Sequence, residues 1–198
     1  MGTDKAMLAW PPPQPNATEM PRHTLLSASL LALGAVVQAT IVVAGKNAES
    51  IATTVNSAGA TLVQNPNPEN GQFSSLQIAL RAVLDLGFDA AAITPVDCPP
   101  LRASSLQLLC GAFFCGIAKG AWAVAPEHDG KHGHPLFANR DLIDAFLQSP
   151  VAGNAREVLH ANASRILYVP VPDLLVKAGL NTPKDYVLHG LEATPESG

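Results

Sequence analysis

Charge is scarce in this sequence. Only 14% of its 198 residues are charged, and the 16 acidic side chains outnumber the 12 lysines and arginines, for a formal net charge of −4. A nucleic-acid binder normally carries a basic stripe that neutralises phosphates, so that class is excluded as an expectation. A nucleotide needs only a few placed donors and a metal, and stays open. Aromatics are also few, at 5%. The three cysteines, Cys98, Cys110 and Cys115, are an odd number without a CxxC pair, which fits reduced thiols in a cytoplasmic protein. His132 and His134 are too irregularly spaced from them to suggest zinc. No apolar run reaches the length of a membrane span, because residues 25–43 are interrupted by Ser27, Ser29, Gln38 and Thr40. The opening MGTDKAMLAWPPPQP has no basic start followed by an apolar run, so no signal peptide is expected there.

Apolar residues, by contrast, make up 47% of the chain, enough for one globular domain with a substantial core. Short β-branched or apolar runs at 40–44 (TIVVA), 60–64 (ATLVQ), 90–96 (AAAITPV), 121–125 (AWAVA), 135–138 (PLFA) and 165–171 (RILYVPV) read as strands covered on both faces. Helical patterns fall at 24–33, 48–57, 74–86, 104–114, 142–147 and 155–160, and Thr182-Pro183 opens a last helix as N-cap and first helical residue. The alternation predicts an α/β three-layer sandwich with a mostly parallel sheet. Residues 1–192 are expected to form one domain and 193–198 a disordered tail.

In such sheets ligands bind at the carboxyl ends of the strands, and several polar segments fall there. Asp97, in TPVDCPP, is a carboxylate at a strand end held rigid by two following prolines, which suits Mg²⁺, a hard ion wanting one or two carboxylates plus phosphate oxygens. A turn or helix cap is the plain alternative, and the metal role is favoured. Asn65-Pro66-Asn67-Pro68-Glu69-Asn70-Gly71 is a shaped loop before Ser74 and Ser75, either of which could cap the next helix. Locally, an ordinary capped turn is favoured there. Gly2 and Lys5 could serve a phosphate, with a solvated tail as the alternative. Residues 179–185 read locally as a helix start, and His134 as a hydrogen-bonded structural residue.

Taken in order, these segments resemble the MobA-like nucleotidyltransferases, with the molybdenum-cofactor cytidylyltransferase branch nearest. MGTDKAMLAW matches the second half of the family's LAGGxSxRMGxxKxLLxW. NPNPENGQFSSL, TPVDCPPL, GKHGHPLF and LNTPKDY resemble its NPxxxxGxxxSL, LVDxPxL, GxxGHPxLF and xDTPxDY. The resemblance implies a Rossmann-like, glycosyltransferase-A-type fold and Mg²⁺-dependent transfer of a nucleotidyl group, CMP from CTP rather than GMP from GTP, to a phosphorylated acceptor such as molybdopterin. It implies Asp97 and Asn181 as metal ligands, Lys5 on the triphosphate, Gly2, Asn65, Gly71 and Ser75 on the nucleotide, His134 on the acceptor, and a molybdoenzyme as a further partner.

Two departures stand out. The family's opening strand and AGGxSxR loop are absent, so either the start site is placed too late or the chain is a degenerate, inactive homologue. The family's Asp in DTP is Asn181, which keeps an oxygen ligand but lowers its charge. A non-catalytic nucleotide- or pterin-binding accessory protein, and a related sugar-phosphate or isoprenoid nucleotidyltransferase, stay open beside the main expectation.

Overall fold

The structure is a computed structural model and describes residues 4–13 and 22–193. Gly2 and residues 194–198 of the expected 193–198 tail lie outside the described residues, while Ala193 ends the last helix. A short lip comes first, where β1 (Ala9–Trp10) pairs antiparallel with β2 (His23–Thr24). Helix α1 (Leu25–Gly34) follows. It starts where Thr24 and Ser27 cap each other reciprocally, which satisfies two of the donors a helix start leaves free. Then come β3 (Ile41–Ala44), α2 (Ala48–Ser57), β4 (Thr61–Gln64), α3 (Gln72–Asp85), β5 (Ala90–Ile93) and α4 (Ala103–Ile117). The second half contains β6 (Ala123–His128), β7 (Lys131–His132), β8 (Leu136–Asn139), α5 (Arg140–Gln148), α6 (Ala155–Ala161), β9 (Ile166–Pro170) and α7 (Pro183–Ala193).

β3 and β4 form a parallel pair of their own. The main sheet has the order β5-β8-β6-β7, with β9 on the other side of β6. β5, β6 and β9 run one way; β8 and the short β7 run against them. The alternation of side chains along the strands builds the three layers. Val124 and Phe137 point to one face, where they meet Leu106, Leu109 and Phe113 of α4 and Leu25 of α1. Ala123, Ala125, Leu136 and Ala138 point to the other, against Leu80 of α3 and Leu142, Ile143 and Phe146 of α5. A third cluster joins Leu26 and Leu30 of α1 to Ala44 of β3 and Ile51 and Val55 of α2.

The six expected strands and seven expected helices are present, with shifted ends. β5 stops at Ile93 rather than at Val96, because Pro95 has no N–H for the ladder. The expected 121–125 strand extends to His128. α3 begins at Gln72 behind Gly71, whose φ of 85° suits a residue without a side chain, so Ser74 and Ser75 lie inside the first turn and do not cap it. β1, β2 and β7 are too short to leave a periodic signal. Pro170 closes β9, which among the described residues pairs only with β6.

The sheet is split between β3 and β5. Helix α3 packs against both, and α1 supports both from the other face, through Leu26 and Leu30 near Val42 and through Ala28 and Ala32 in the cluster that holds Ala92. Among the described residues, β3 pairs only with β4 and β5 only with β8, so each presents one unpaired edge. Unpaired strand amides exchange with solvent through small local openings. Amides of β3 and β5 directed away from their partners are expected to exchange at least ~100-fold faster than the doubly paired Ala123 and Val124 by hydrogen–deuterium exchange. Equal protection would show both edges to be covered.

Candidate active site

The loops after β3, β4 and β5, the segment entering β8 and the segment before α7 are linked by hydrogen bonds into one edge. Asp4 fixes the chain's beginning there. One of its carboxylate oxygens accepts from the Ala6 N–H at 3.0 Å, and the other accepts from the Asn47 amide, just past β3, at 2.8 Å. The next residue, Lys5, therefore has a set origin. Its ammonium reaches Asp97 Oδ2 at 3.4 Å and donates to Asn181 Oδ1 at 3.2 Å.

Asp97 and Asn181 meet because their backbones are tied together. The Leu180 N–H donates to the Asp97 carbonyl at 2.8 Å, and the Leu180 side chain is completely buried. The N–H groups of Asn181 and Thr182 both donate to Asp185, and the Asp185 N–H donates to Thr182 Oγ1, so the start of α7 is capped as expected. Hydrogen bonding with Thr182, chiefly, holds the Asp185 carboxyl below its usual range.

A second carboxylate organises the same edge. Asp173 is completely buried and accepts from the Arg102 N–H at 2.8 Å, the Ser105 hydroxyl at 3.1 Å and the Leu175 N–H at 3.2 Å. It thus clamps the loop after β5 to the segment leading toward Asn181. Burial first, and then the Asp97 carboxylate, push the neighbouring Cys98 thiol up to about 12 against an opposing pull from Lys5, so it is a neutral thiol at pH 7.

His134 precedes β8. Its Nδ1 lies 3.2 Å from the Ile93 carbonyl. A carbonyl only accepts, so Nδ1 carries the proton and Nε2 keeps a lone pair. Burial lowers its pKa, partly offset by the Ile93 hydrogen bond and the Asp97 charge, and the ring is neutral at pH 7. Gly133 beside it admits no side chain, since a Cβ would run into the Val176 carbonyl oxygen.

The loop after β4 is built around Asn65, which is 2% exposed. Its amide donates to the Ser74 and Ser75 hydroxyls, both at 2.9 Å, and its oxygen accepts from the Asn67 N–H at 2.9 Å. Every polar atom of that side chain is engaged, which makes it a positioning residue for the loop. A Cβ at Gly45, just past β3, would lie 2.9 Å from Pro68, so glycine lets the two loops stack. The structure thus brings Lys5, Asp97 and Asn181 into contact and sets His134 close to Asp97. Gly71 closes the adjoining loop and Ser75 lies in the first turn of α3, where its hydroxyl accepts from Asn65 rather than facing these three residues.

Two hard oxygens, one from a carboxylate and one from an amide, converge on a single positive charge. That donor set fits a divalent cation that completes its shell with phosphate oxygens and water. Among the described residues, no group of three or more His, Cys, Asp or Glu side chains is arranged to hold a metal.

A family model, the MobA-like NTP transferase domain, matches residues 1–166. The chain belongs to the MobA-like NTP transferase family. It is accordingly a nucleotidyltransferase that takes a nucleoside triphosphate, and Asn181 and Asp173 lie beyond the matched span. Among solved structures it is similar to a nucleotidyl transferase from Methanothermobacter thermautotroptrophicus, at 21% identity and TM-score 0.72, covering 96% of this chain and 86% of the other. It is similar to Rv0371c from Mycobacterium tuberculosis H37Rv, at 17% identity and TM-score 0.71, covering 98% and 92%. It is also similar to molybdopterin-guanine dinucleotide biosynthesis protein A from Archaeoglobus fulgidus, at 19% identity and TM-score 0.63, covering 93% and 88%. These likenesses bear out the α/β nucleotidyltransferase fold. Rv0371c has also been solved as a manganese complex, consistent with divalent-metal use in the family. No curated protein matches the sequence. No helix among the described residues is long and apolar enough to cross a membrane.

Proposed function

We propose that this MobA-like protein transfers CMP from CTP to a phosphorylated acceptor such as molybdopterin, in the cytoplasm and with Mg²⁺. The observation that carries the proposal is the convergence of Lys5, Asp97 and Asn181 at the end of β5, with His134 alongside. An acceptor phosphate oxygen forms a bond to the α-phosphorus in line, and the bond from that phosphorus to the bridging oxygen of pyrophosphate breaks. Such a reaction needs positioning and charge neutralisation more than a protein nucleophile.

Asp97 and Asn181 would hold Mg²⁺, which when bound neutralises charge on the phosphates. The Lys5 ammonium neutralises the leaving pyrophosphate. Gly71 and Ser75 present the base-binding loop that Asn65 shapes, and Gly2 belongs to the same phosphate-binding start. The neutral His134 offers Nε2 as an acceptor to an N–H or O–H of the acceptor substrate. A molybdoenzyme is the natural recipient of such a product.

The preference for CTP rests on NGQFSSL in the loop after β4, which resembles the cytidylyl branch. Calorimetric titration of CTP and of GTP, each with Mg²⁺, is expected to give at least about tenfold tighter binding of CTP, near 1.4 kcal/mol. A GTP preference would overturn the assignment. Asn181, an amide where the family's DTP segment has a carboxylate, lowers the charge at the metal site and favours one second reading, a nucleotide- or pterin-binding accessory protein. Binding without pyrophosphate release would select it.

A further inference from the structure

Lys5 stands where a bound cation belongs. Its ammonium lies 3.2 Å from Asn181 Oδ1 and 3.4 Å from Asp97 Oδ2, the two oxygens proposed above for the metal. An ammonium rests about 3 Å from such oxygens, whereas Mg²⁺ binds them at about 2.0–2.1 Å. The two cations compete for these oxygens, since a +1 and a +2 charge about 4 Å apart repel by about 2 kcal/mol in water and by more in a partly buried site.

The way out of this conflict is built into the residue. The Lys5 backbone is fixed, because Asp4 caps the turn through Ala6 and Met7 and is held in place by Asn47. The side chain is not fixed in the same way. It is a flexible four-carbon stem with 29% of its surface open to solvent. Its tip can leave the two oxygens without moving the loop.

We infer that Lys5 is a placeholder cation that exchanges with the divalent ion. When the ion takes Asp97 and Asn181, the ammonium swings to the nucleotide phosphates. The inference rests on the metal-site reading above. It makes metal and triphosphate binding mutually dependent. The metal frees an ammonium for the phosphates, and the phosphates give the displaced ammonium a partner, so each ligand strengthens the other by the same factor. A divalent ion arriving alone must displace a charge that has no phosphate to receive it, which lowers the affinity for metal in the absence of nucleotide.

The test uses Mn²⁺ alone, with free Mn²⁺ read by electron paramagnetic resonance. The proteins are the wild type, Lys5→Met, Lys46→Met and Asp97→Asn. Lys46 is an exposed cation next to Asn47 that contacts neither oxygen, so it controls for the general field of a nearby positive charge. Lys5→Met is expected to bind Mn²⁺ about tenfold tighter than wild type. Lys46→Met should stay within about twofold of wild type, and Asp97→Asn should lose binding. In the wild type, the Lys5 ammonium ¹H–¹⁵N resonance should shift when Mg²⁺ is added.

Equal affinity of Lys5→Met and wild type overturns the exchange, as does an equal gain in both lysine variants. If Asp97→Asn loses Mn²⁺ while Lys5→Met gains nothing, only the exchange falls. If Asp97→Asn binds Mn²⁺ like the wild type, the metal site itself falls and the exchange falls with it.

Discussion

Asp97→Ala is expected to lower pyrophosphate release by about 10³-fold or more while leaving the fold intact. A charged group placed against developing phosphate charge in a partly enclosed site typically carries several kcal/mol of transition-state stabilisation, and each 1.4 kcal/mol is about tenfold in rate. The side chain is 34% exposed, and its hydrogen-bond partner is the Lys5 ammonium rather than the backbone of a helix or strand. The structural role at this position belongs to the backbone, because the Asp97 carbonyl anchors Leu180, and alanine retains that carbonyl. A thermal midpoint within about 2 °C of wild type should therefore accompany the loss of activity. Steady-state assays of pyrophosphate release alongside thermal unfolding make the check. Activity within tenfold of wild type would remove Asp97 from the catalytic set.

The opposite pattern is expected at Asp173. This carboxylate is completely buried and accepts three hydrogen bonds, from Arg102, Ser105 and Leu175. Asp173→Ala leaves those donors unsatisfied at the start of α4 and in the segment before α7. The cost is about 3 kcal/mol, which in a chain of this size lowers the melting midpoint by roughly 6–12 °C. Asp173→Asn preserves the shape but turns an acceptor into a donor facing other donors, and should recover only part of the loss. Urea unfolding of the three proteins measures the differences. A change under about 1 kcal/mol in Asp173→Ala would show that water satisfies the freed groups. Because the residue clamps the loop after β5 to the segment carrying Leu180 and Asn181, the variant should also lose some activity through a displaced Asn181.

Much of the site was legible because the chemistry sits at strand ends, and strand ends are marked in sequence by the change from apolar runs to proline, glycine and polar residues. Asp97 in TPVDCPP carried that mark, and Lys5 and Asn181 came from the ordered family resemblance. Asp173 carries the same local mark, a carboxylate after RILYVPVP, but no motif distinguishes it as part of the site. Sequence does not tell whether such a carboxylate faces the cleft or turns inward, and the difference is decided by which backbone N–H groups lie within reach. Asn65 shows the reverse case. Its loop pointed to base recognition, but the fold turns its amide inward to Ser74, Ser75 and Asn67. Asp4, Asn47 and Gly45 gave no signal, since their roles depend on contacts between loops far apart in the chain.

The sequence by itself determined the element order and the family, because apolar periodicity and short ordered motifs are local properties. The expected burial on both faces holds for β6 and β8, whereas β4, β5 and β9 keep exposed positions because they lie toward the margins of the sheets. Only the tertiary structure decided that, among the described residues, β3 pairs with β4 alone and β5 with β8 alone, since pairing depends on which edges meet in space and not on any one strand's composition. Only it decided that Lys5, 92 positions from Asp97 and 176 from Asn181, lies against both. That contact exists because Asp4 is pinned to Asn47 and Leu180 to Asp97, and such long-range hydrogen bonds leave no trace in local sequence.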